Sequence, residues 1–591
     1  MNKIIRLAYI LPLFCLVVSC DITRLPEDKI VPENFFKNED QCQLWLDRCY
    51  DIFMSSPNST PRINADDMID KEMPELILGT RLVTDSNNDQ TMWGWESIRR
   101  LNEFFQYCGN CTDESVRNKY KGVAYFFRAY AYYYKVLHFG DVPYYDTVIG
   151  SSDTELLDKK RDDRGYVMGK IMDDIDNAIL LLPSTKDVSR VTKWTALALK
   201  SRIALFEGTW RKYHNLPDAD KYLQLCVDAS EELISNGGYK LYTDGSEPYR
   251  DLFCSEDAKK DEVILARIYN YSSVPTIKTT IQFNISDDKM GFTKRFMNHY
   301  LMKDGSRFTD ISGYQTMTYT EETKNRDPRM SQTVLCPGYI QKDETAVTTN
   351  DLSGMTGYIP IKFVGEKKKN TDGKKGTNDY PCFRIAETFL NYAEAKAELG
   401  DITQADIDKT INLIRSRVKM PALNLAAANA SPDPYLLACY PNVTKSNCTG
   451  VILEIRRERT IELVMEGFRQ DDMLRWHEGA MMTCLGSKWL GIYIPGPGLY
   501  DMNSDGINDT EIYESTPTTN KTSNPEIQIW KKLGSDITLS NGNSGYIVPY
   551  IQSQYTWNED RDYLWPIPAK QRTLTNGALT QNPGWVDGIV F

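Results

Sequence analysis

Apolar residues recur at three- and four-residue spacing through much of this chain, and that period constrains the fold more than any other feature. Over 118–138, Tyr120, Val123, Ala124, Phe127, Ala131, Tyr134 and Leu137 fall on one helical face. Gly140 and Pro143 then stop that helix. The same period predicts helices over 164–182 and 191–210, joined at Pro183-Ser184, and over 217–236, ending at Gly237-Gly238. It predicts others over 383–399, closed by Gly400, over 403–418, closed before Pro421, and one long helix over 451–478. Short-linked antiparallel pairs of this kind point to an all-α-dominated, tetratricopeptide-like scaffold of helical pairs, although no repeat of about 34 residues is visible. Residues 240–380 and 485–591 break the pattern and are rich in Gly, Asn, Thr, Pro and Tyr. Loops this long are uncommon in a compact domain unless they bind something or are disordered, and their aromatic content argues against disorder. The expected architecture is a helical scaffold carrying a large, irregular, loop-rich binding face.

The N-terminus reads MNKIIRLAYILPLFCLVVSC. Lys3 and Arg6 form a positive region, Leu7 to Val18 an apolar one, and Val17-Val18-Ser19 lead into Cys20. The apolar run is too short to span a bilayer and reads as an export signal. It resembles a bacterial lipoprotein signal, which implies cleavage before Cys20 and acylation of that cysteine. Polar residues 21–34, with two prolines, then read as a tether. Residues 1–19 are therefore expected to be signal and 20–34 a lipidated tether.

Net charge is −12, and losing Lys3 and Arg6 with the signal takes it to −14. So acidic a chain repels a phosphate backbone, which argues against nucleic acid as a partner. Of the 13 cysteines, 11 remain after Cys15 and Cys20 are set aside. Cys42 and Cys49 lie seven residues apart on one expected helix, about 10.5 Å along its axis and beyond disulfide reach. Cys108–Cys111 could form a local disulfide, and Cys439–Cys448 could close a loop.

Carboxylates at Glu458, Glu462 and Glu466 invite a glycosidase reading, which needs two carboxyls across a bond. They are interleaved with Arg459, Arg469 and Arg475, and adjacent arginines depress a carboxyl pKa where a catalytic acid needs it raised. A partly buried ion-pair network tying scaffold helices together is the better reading, and Glu387 and Glu394 read the same way. The four histidines, His138, His214, His299 and His477, stand in no metal-ligand spacing, and no GxSxG elbow or phosphate loop is present. The Lys367–Lys375 stretch reads as a solvated hairpin tip. Asp501, Asn503, Asp505, Ile507 and Asp509 follow the first part of a calcium loop around Gly506, with Ile512 where a bidentate Glu is expected. A structural calcium and an Asx-rich turn both fit that pattern; no other cofactor is called for.

Tyr130, Tyr132, Tyr133 and Tyr134 sit mid-helix at scaffold spacing and read as packing residues. Trp93-Gly94-Trp95 follows a polar loop and could present flat faces to a sugar, with Arg81, Asn87, Asn88 and Asp89 as polar partners; packing of a tryptophan on the scaffold is the alternative. Phe296 and Tyr300, in the 291–308 stretch, form a second candidate site.

Six segments resemble the RagB/SusD outer-membrane lipoproteins. The most specific is the C-terminal Tyr563-Leu564-Trp565-Pro566-Ile567-Pro568 with Gln581-Asn582-Pro583-Gly584-Trp585. The others are 456–476 (RRERTIELVMEGFRQDDMLRW), 384–400 with 411–421, 122–146, 192–210 and 302–308 (MKDGSRF). The resemblance implies two interlocked regions, 35–240 and 241–591, in one globular unit. It implies a non-enzymatic protein on the cell surface, held in the outer membrane, that captures glycan and delivers it to a SusC-like TonB-dependent transporter. Peptide capture is the alternative within the family, and a surface glycosidase the alternative outside it. The family places no ligand residues by motif.

Overall fold

The helices expected from the apolar period form and pack in pairs. The computed structural model describes residues 31–54, 65–72, 74–84, 93–269, 285–365, 376–483, 489–549 and 555–591. Its main helices are α1 (Glu39–Phe53), α2 (Glu96–Tyr107), α3 (Glu114–Phe139), α4 (Arg164–Leu181), α5 (Lys193–Tyr213), α6 (Ala219–Asn236), α7 (Ile385–Leu399), α8 (Ile411–Arg417), α9 (Thr449–Glu462) and α10 (Arg469–Arg475). Asp113 caps α3 by accepting from the amides of Ser115 and Val116. Gly140, at φ 69°, ends it in a conformation that glycine adopts at little cost. α3 packs on α4, α5 on α6, and α7 lies against α5, α6 and α9. Tyr130, Tyr132 and Tyr133 are buried in this stack. Ion pairs tie the layers together: Arg128–Asp174 (2.7 Å) joins α3 to α4, Arg164–Glu207 (2.6 Å) α4 to α5, and Arg202–Glu387 (2.6 Å) α5 to α7.

Two expected helices are broken. The 451–478 segment forms α9 and α10, and a further turn follows at Gly479–Met482. Met465 (φ 62°) and Gly467 (φ 85°) take left-handed backbone, which a right-handed helix cannot pass through. The break turns Glu466 inward onto Arg384 and Lys362, each at 2.7 Å. The 403–418 segment divides into Gln404–Asp408 and α8 around Thr410, whose hydroxyl bonds the Asp406 carbonyl at 2.6 Å.

Strands in the loop-rich regions are short. β1 (Met68–Ile69) pairs with β3 (Gly291–Phe292), and β2 (Val263–Arg267) with β4 (Tyr380–Arg384), both antiparallel. β5 (Tyr493–Ile494) pairs antiparallel with β9 (Gly545–Tyr546). β6 (Gly498–Tyr500) runs antiparallel to β7 (Thr510–Tyr513), which is parallel to β8 (Ile529–Lys532). A second core, with Phe292, Phe296, Phe363 and Ile492, underlies these segments. The larger helical core runs from Phe36 to Leu579, so both ends of the chain contribute to it.

None of the ten cysteines among the described residues is in a disulfide, which corrects both disulfide expectations. Cys108 donates to the Phe105 carbonyl (3.5 Å) and Cys111 to the Asp113 carbonyl (3.6 Å), while Cys439 ends a short helix and Cys448 precedes α9. Among the described residues no helix is long and apolar enough to cross a membrane.

Candidate functional site

The carboxylates that suggested hydrolysis are buried and paired. Glu462 receives Arg417 at 2.6 Å, Arg384 at 2.7 Å and Arg329 at 3.4 Å. Glu458 pairs with Arg415 at 2.6 Å and Arg329 at 3.0 Å. Burial works to raise the Glu462 carboxyl, but the three guanidiniums outweigh it and hold the group at about 2. Glu394 is also held at about 2, where Arg475 at 2.5 Å overrides burial. Arg459 pairs with Asp472 at 2.8 Å and Arg469 with Asp66 at 2.6 Å, completing a network that joins α7, α8, α9 and α10. Burial pushes Asp67 and Glu478 up to about 7, but both are enclosed and out of reach of a substrate. These groups are suited to holding helices together rather than to proton transfer.

Arg81 is 4 % exposed and does not present its guanidinium to solvent. It pairs with Asp562 at 3.0 Å and lies between the rings of Trp565 (5.3 Å) and Trp585 (5.1 Å). It thus clasps the C-terminal Trp-Pro-Ile-Pro and Asn-Pro-Gly-Trp segments to the start of the chain. The cavity beside it, walled by His138, Gln470, Asp471 and Tyr563, measures about 70 Å3. Since one water needs about 10–15 Å3, this space suits ordered waters and is too small for a sugar ring.

Trp93 is buried as well, at 6 % exposure, with its ring edge-on to Phe139 (4.8 Å) and Trp95 (5.7 Å). Trp95 is half-buried. The Lys135 ammonium lies 4.1 Å from its ring centroid, and Tyr145 closes its edge at 5.3 Å. The pair therefore packs on α3, which corrects the open platform expected from Trp93-Gly94-Trp95. Phe296 and Tyr300 are 1 % and 0 % exposed, members of the second core with no free ring face. Asn87, Asn88, Asp89, the Lys367–Lys375 stretch and Cys20 lie outside the described residues.

The 501–509 loop is a run of Asx turns. Asp501 accepts from the amides of Asp505 (3.3 Å) and Gly506 (2.9 Å), Asn503 from Asp505 (2.9 Å), and Asp505 from Ile507 (2.8 Å). Asp509 turns back to the amides of Met502 (3.1 Å) and Asn503 (3.2 Å) and accepts the Thr510 hydroxyl (2.7 Å). These bonds order the loop, and each carboxylate oxygen that makes one keeps a second lone pair, so they neither fill nor exclude a cation site. Among the described residues no three His, Cys, Asp or Glu side chains gather as metal ligands.

One group of aromatics was missed. Tyr493 and Tyr546 are direct partners across β5 and β9, with ring centroids 5.6 Å apart at 75°. Tyr546 donates to the Gln315 carbonyl at 2.5 Å, and Tyr500 to the Gly496 carbonyl. Tyr314 lies close enough to Tyr546, and Tyr493 to Tyr500, for their phenols to interact electrostatically. All four rings are half-buried. They come from three stretches of sequence, so no spacing announces them; the only local signal is the Pro- and Gly-rich setting of IYIPGPGLY.

Comparison with known proteins identifies the family. A model of the SusD family matches residues 262–585, and a second, described as starch-binding associating with outer membrane, matches residues 75–205. SusD-like protein P2 of Formosa agariphila is 26% identical over 622 aligned positions, covering 98% of this chain and 99% of the relative. SusD-like protein P38 of the same organism is 20% identical and covers 76% of this chain and 86% of its own. Among solved structures, a SusD-like protein from Bacteroides fragilis superposes with a TM-score of 0.68 at 20% identity, covering 95% of this chain and all (100%) of that one. A SusD-like carbohydrate-binding protein from the same species gives a TM-score of 0.65 at 19% identity, covering 92% of this chain and 99% of that one. The first family model alone spans more than half of the sequence, and this chain belongs to the SusD family.

Proposed function

We propose that this protein is a lipid-anchored, surface-exposed receptor of the outer membrane. It captures oligosaccharide through Tyr, Trp and amide side chains and passes it, chemically unchanged, to a TonB-dependent transporter. The observation that carries the reading is the family match together with the pairing of the Arg/Glu segment. Glu458, Glu462 and Glu466 are neutralised by buried cations, which supports binding over hydrolysis. Related proteins point the same way. One family description reads starch-binding and associating with outer membrane, one structural neighbour is titled carbohydrate binding, and another was solved with a xylogluco-oligosaccharide. The lipobox-like approach to Cys20 supports the anchor.

The test is an affinity screen of the chain from residue 21 against oligosaccharides and peptides, with reducing ends assayed after incubation. Saturable binding of an oligosaccharide with no new reducing ends is expected. Binding confined to peptides would move the protein to peptide capture. Reducing sugar released by repurified protein would overturn the non-enzymatic reading.

A further inference from the structure

We infer that Tyr314, Tyr493, Tyr500 and Tyr546 form the aromatic platform on which an oligosaccharide lies. The inference rests on the glycan-binding reading above and gives it a place in the fold.

Strand alternation sets the platform. Tyr493 is half-buried between the buried Ile492 and Ile494, and Tyr546 between the buried Gly545 and Ile547. A two-residue period sends the aliphatic side chains into the second core and the tyrosine rings to the outer face. The outer face of so short a strand pair would ordinarily carry polar side chains, and gathered aromatics there mark a contact surface. Its chemistry narrows the occupant. Gln315 and Asn541 beside it are exposed, neutral amides, able both to donate to and to accept from hydroxyls, and Asn543 donates to the Glu514 carboxylate at 3.4 Å. No lysine or arginine is hydrogen-bonded to any of the four phenols among the described residues, so the surface offers little to a phosphate or carboxylate. Apolar ring faces beside neutral amides match a pyranose, whose C–H faces are apolar and whose edges are hydroxyls.

The rings are also pre-set. The Tyr546 hydroxyl is held by the Gln315 carbonyl at 2.5 Å and the Tyr500 hydroxyl by the Gly496 carbonyl. Side chains already fixed lose little rotamer freedom when ligand binds.

The experiment uses the chain from residue 21, with maltoheptaose and a xyloglucan heptasaccharide heading a panel of neutral oligosaccharides in calorimetry. For whichever sugar binds, Tyr493→Ala and Tyr546→Ala should each weaken binding about thirtyfold. Tyr493→Phe, which keeps the ring, should bind as the parent does. Trp93→Ala should lower the melting temperature and leave the affinity of the folded protein unchanged. Folded alanine variants with parental affinity would overturn the platform while leaving glycan binding intact. A parent that binds no oligosaccharide would overturn the glycan reading and the platform with it. Should the alanine variants fail to fold, nitration of the parent by tetranitromethane, mapped by peptide mass, decides the matter. Protection of these four tyrosines by bound sugar supports the platform, and unprotected tyrosines reject it.

Discussion

Replacing Glu462 by glutamine should destabilise this protein more than any change to a surface charge. The side chain is fully buried and faces Arg417 at 2.6 Å, Arg384 at 2.7 Å and Arg329 at 3.4 Å. Removing one partner of a buried pair costs about 3–5 kcal/mol, because the opposite charge is left uncompensated. Proton linkage gives a similar figure. The carboxyl is held at about 2 against an ordinary 4.5, and at about 1.36 kcal/mol per pKa unit this is about 3 kcal/mol at neutral pH. The contribution is complete above the unfolded-state pKa of about 4.3 and is lost as pH falls toward 2. Urea unfolding followed by tryptophan fluorescence should therefore show Glu462→Gln about 3–5 kcal/mol less stable at pH 7, with the gap narrowing below about pH 4. Glu231→Gln is the control. Its pair with Lys409 (2.6 Å) has side chains 44% and 37% exposed, and such pairs are worth about 1 kcal/mol or less. A Glu462→Gln variant within about 1 kcal/mol of the parent at pH 7 would refute the reasoning, as would a gap that does not narrow on acidification.

Three further outcomes are expected. Burial, with the Asp66 carboxylate beside it, pushes Asp67 up to about 7, so its cost to stability develops as pH rises from about 4 to 7; Asp67→Asn should be more stable than the parent at pH 8 and equal to it at pH 4, and parallel pH profiles would contradict this. The Asx turns of 501–509 order the loop through its own backbone bonds, so calcium and chelator should give the same melting temperature in the parent and in Asp505→Ala. A calcium-dependent rise lost in that variant would assign the loop to a cation. Cys20→Ala should release the protein from the outer-membrane fraction, and a variant retained as tightly as the parent would remove the lipid anchor from the proposal.

What could be read from the sequence followed regular periods. The spacing on α3 and the Gly140 stop were legible because they are local, and the Arg/Glu interleaving exposed the ion pairs because guanidinium neighbours rule out a raised carboxyl pKa. The break after Glu462 was not legible. Met465 is an unusual residue to hold positive φ, and the compensating contacts of Glu466 come from Lys362 and Arg384, about a hundred positions away at most. The tryptophan pair misled because loop position was taken for exposure. Nothing adjacent to Trp93 in sequence shows that Phe139 will cover it. The tyrosine platform was hidden for the opposite reason, since its members meet only through the β5–β9 register and a hydrogen bond to Gln315.

The clasp around Arg81 has a consequence for the order in which the chain can fold. Arg81 and Asp562 are 481 positions apart, Asp66 and Arg469 are 403 apart, and the Trp565 amide closes on the His138 carbonyl at 2.7 Å. Until the segment with Asp562 and Trp565 arrives, Arg81 is a cation without its carboxylate, and the end of α3 lacks its cover. A nascent chain emerging N-terminus first therefore cannot finish its first layer and set it aside. Such distant closures slow folding, and a chain that still lacks them exposes apolar surface that the finished fold covers.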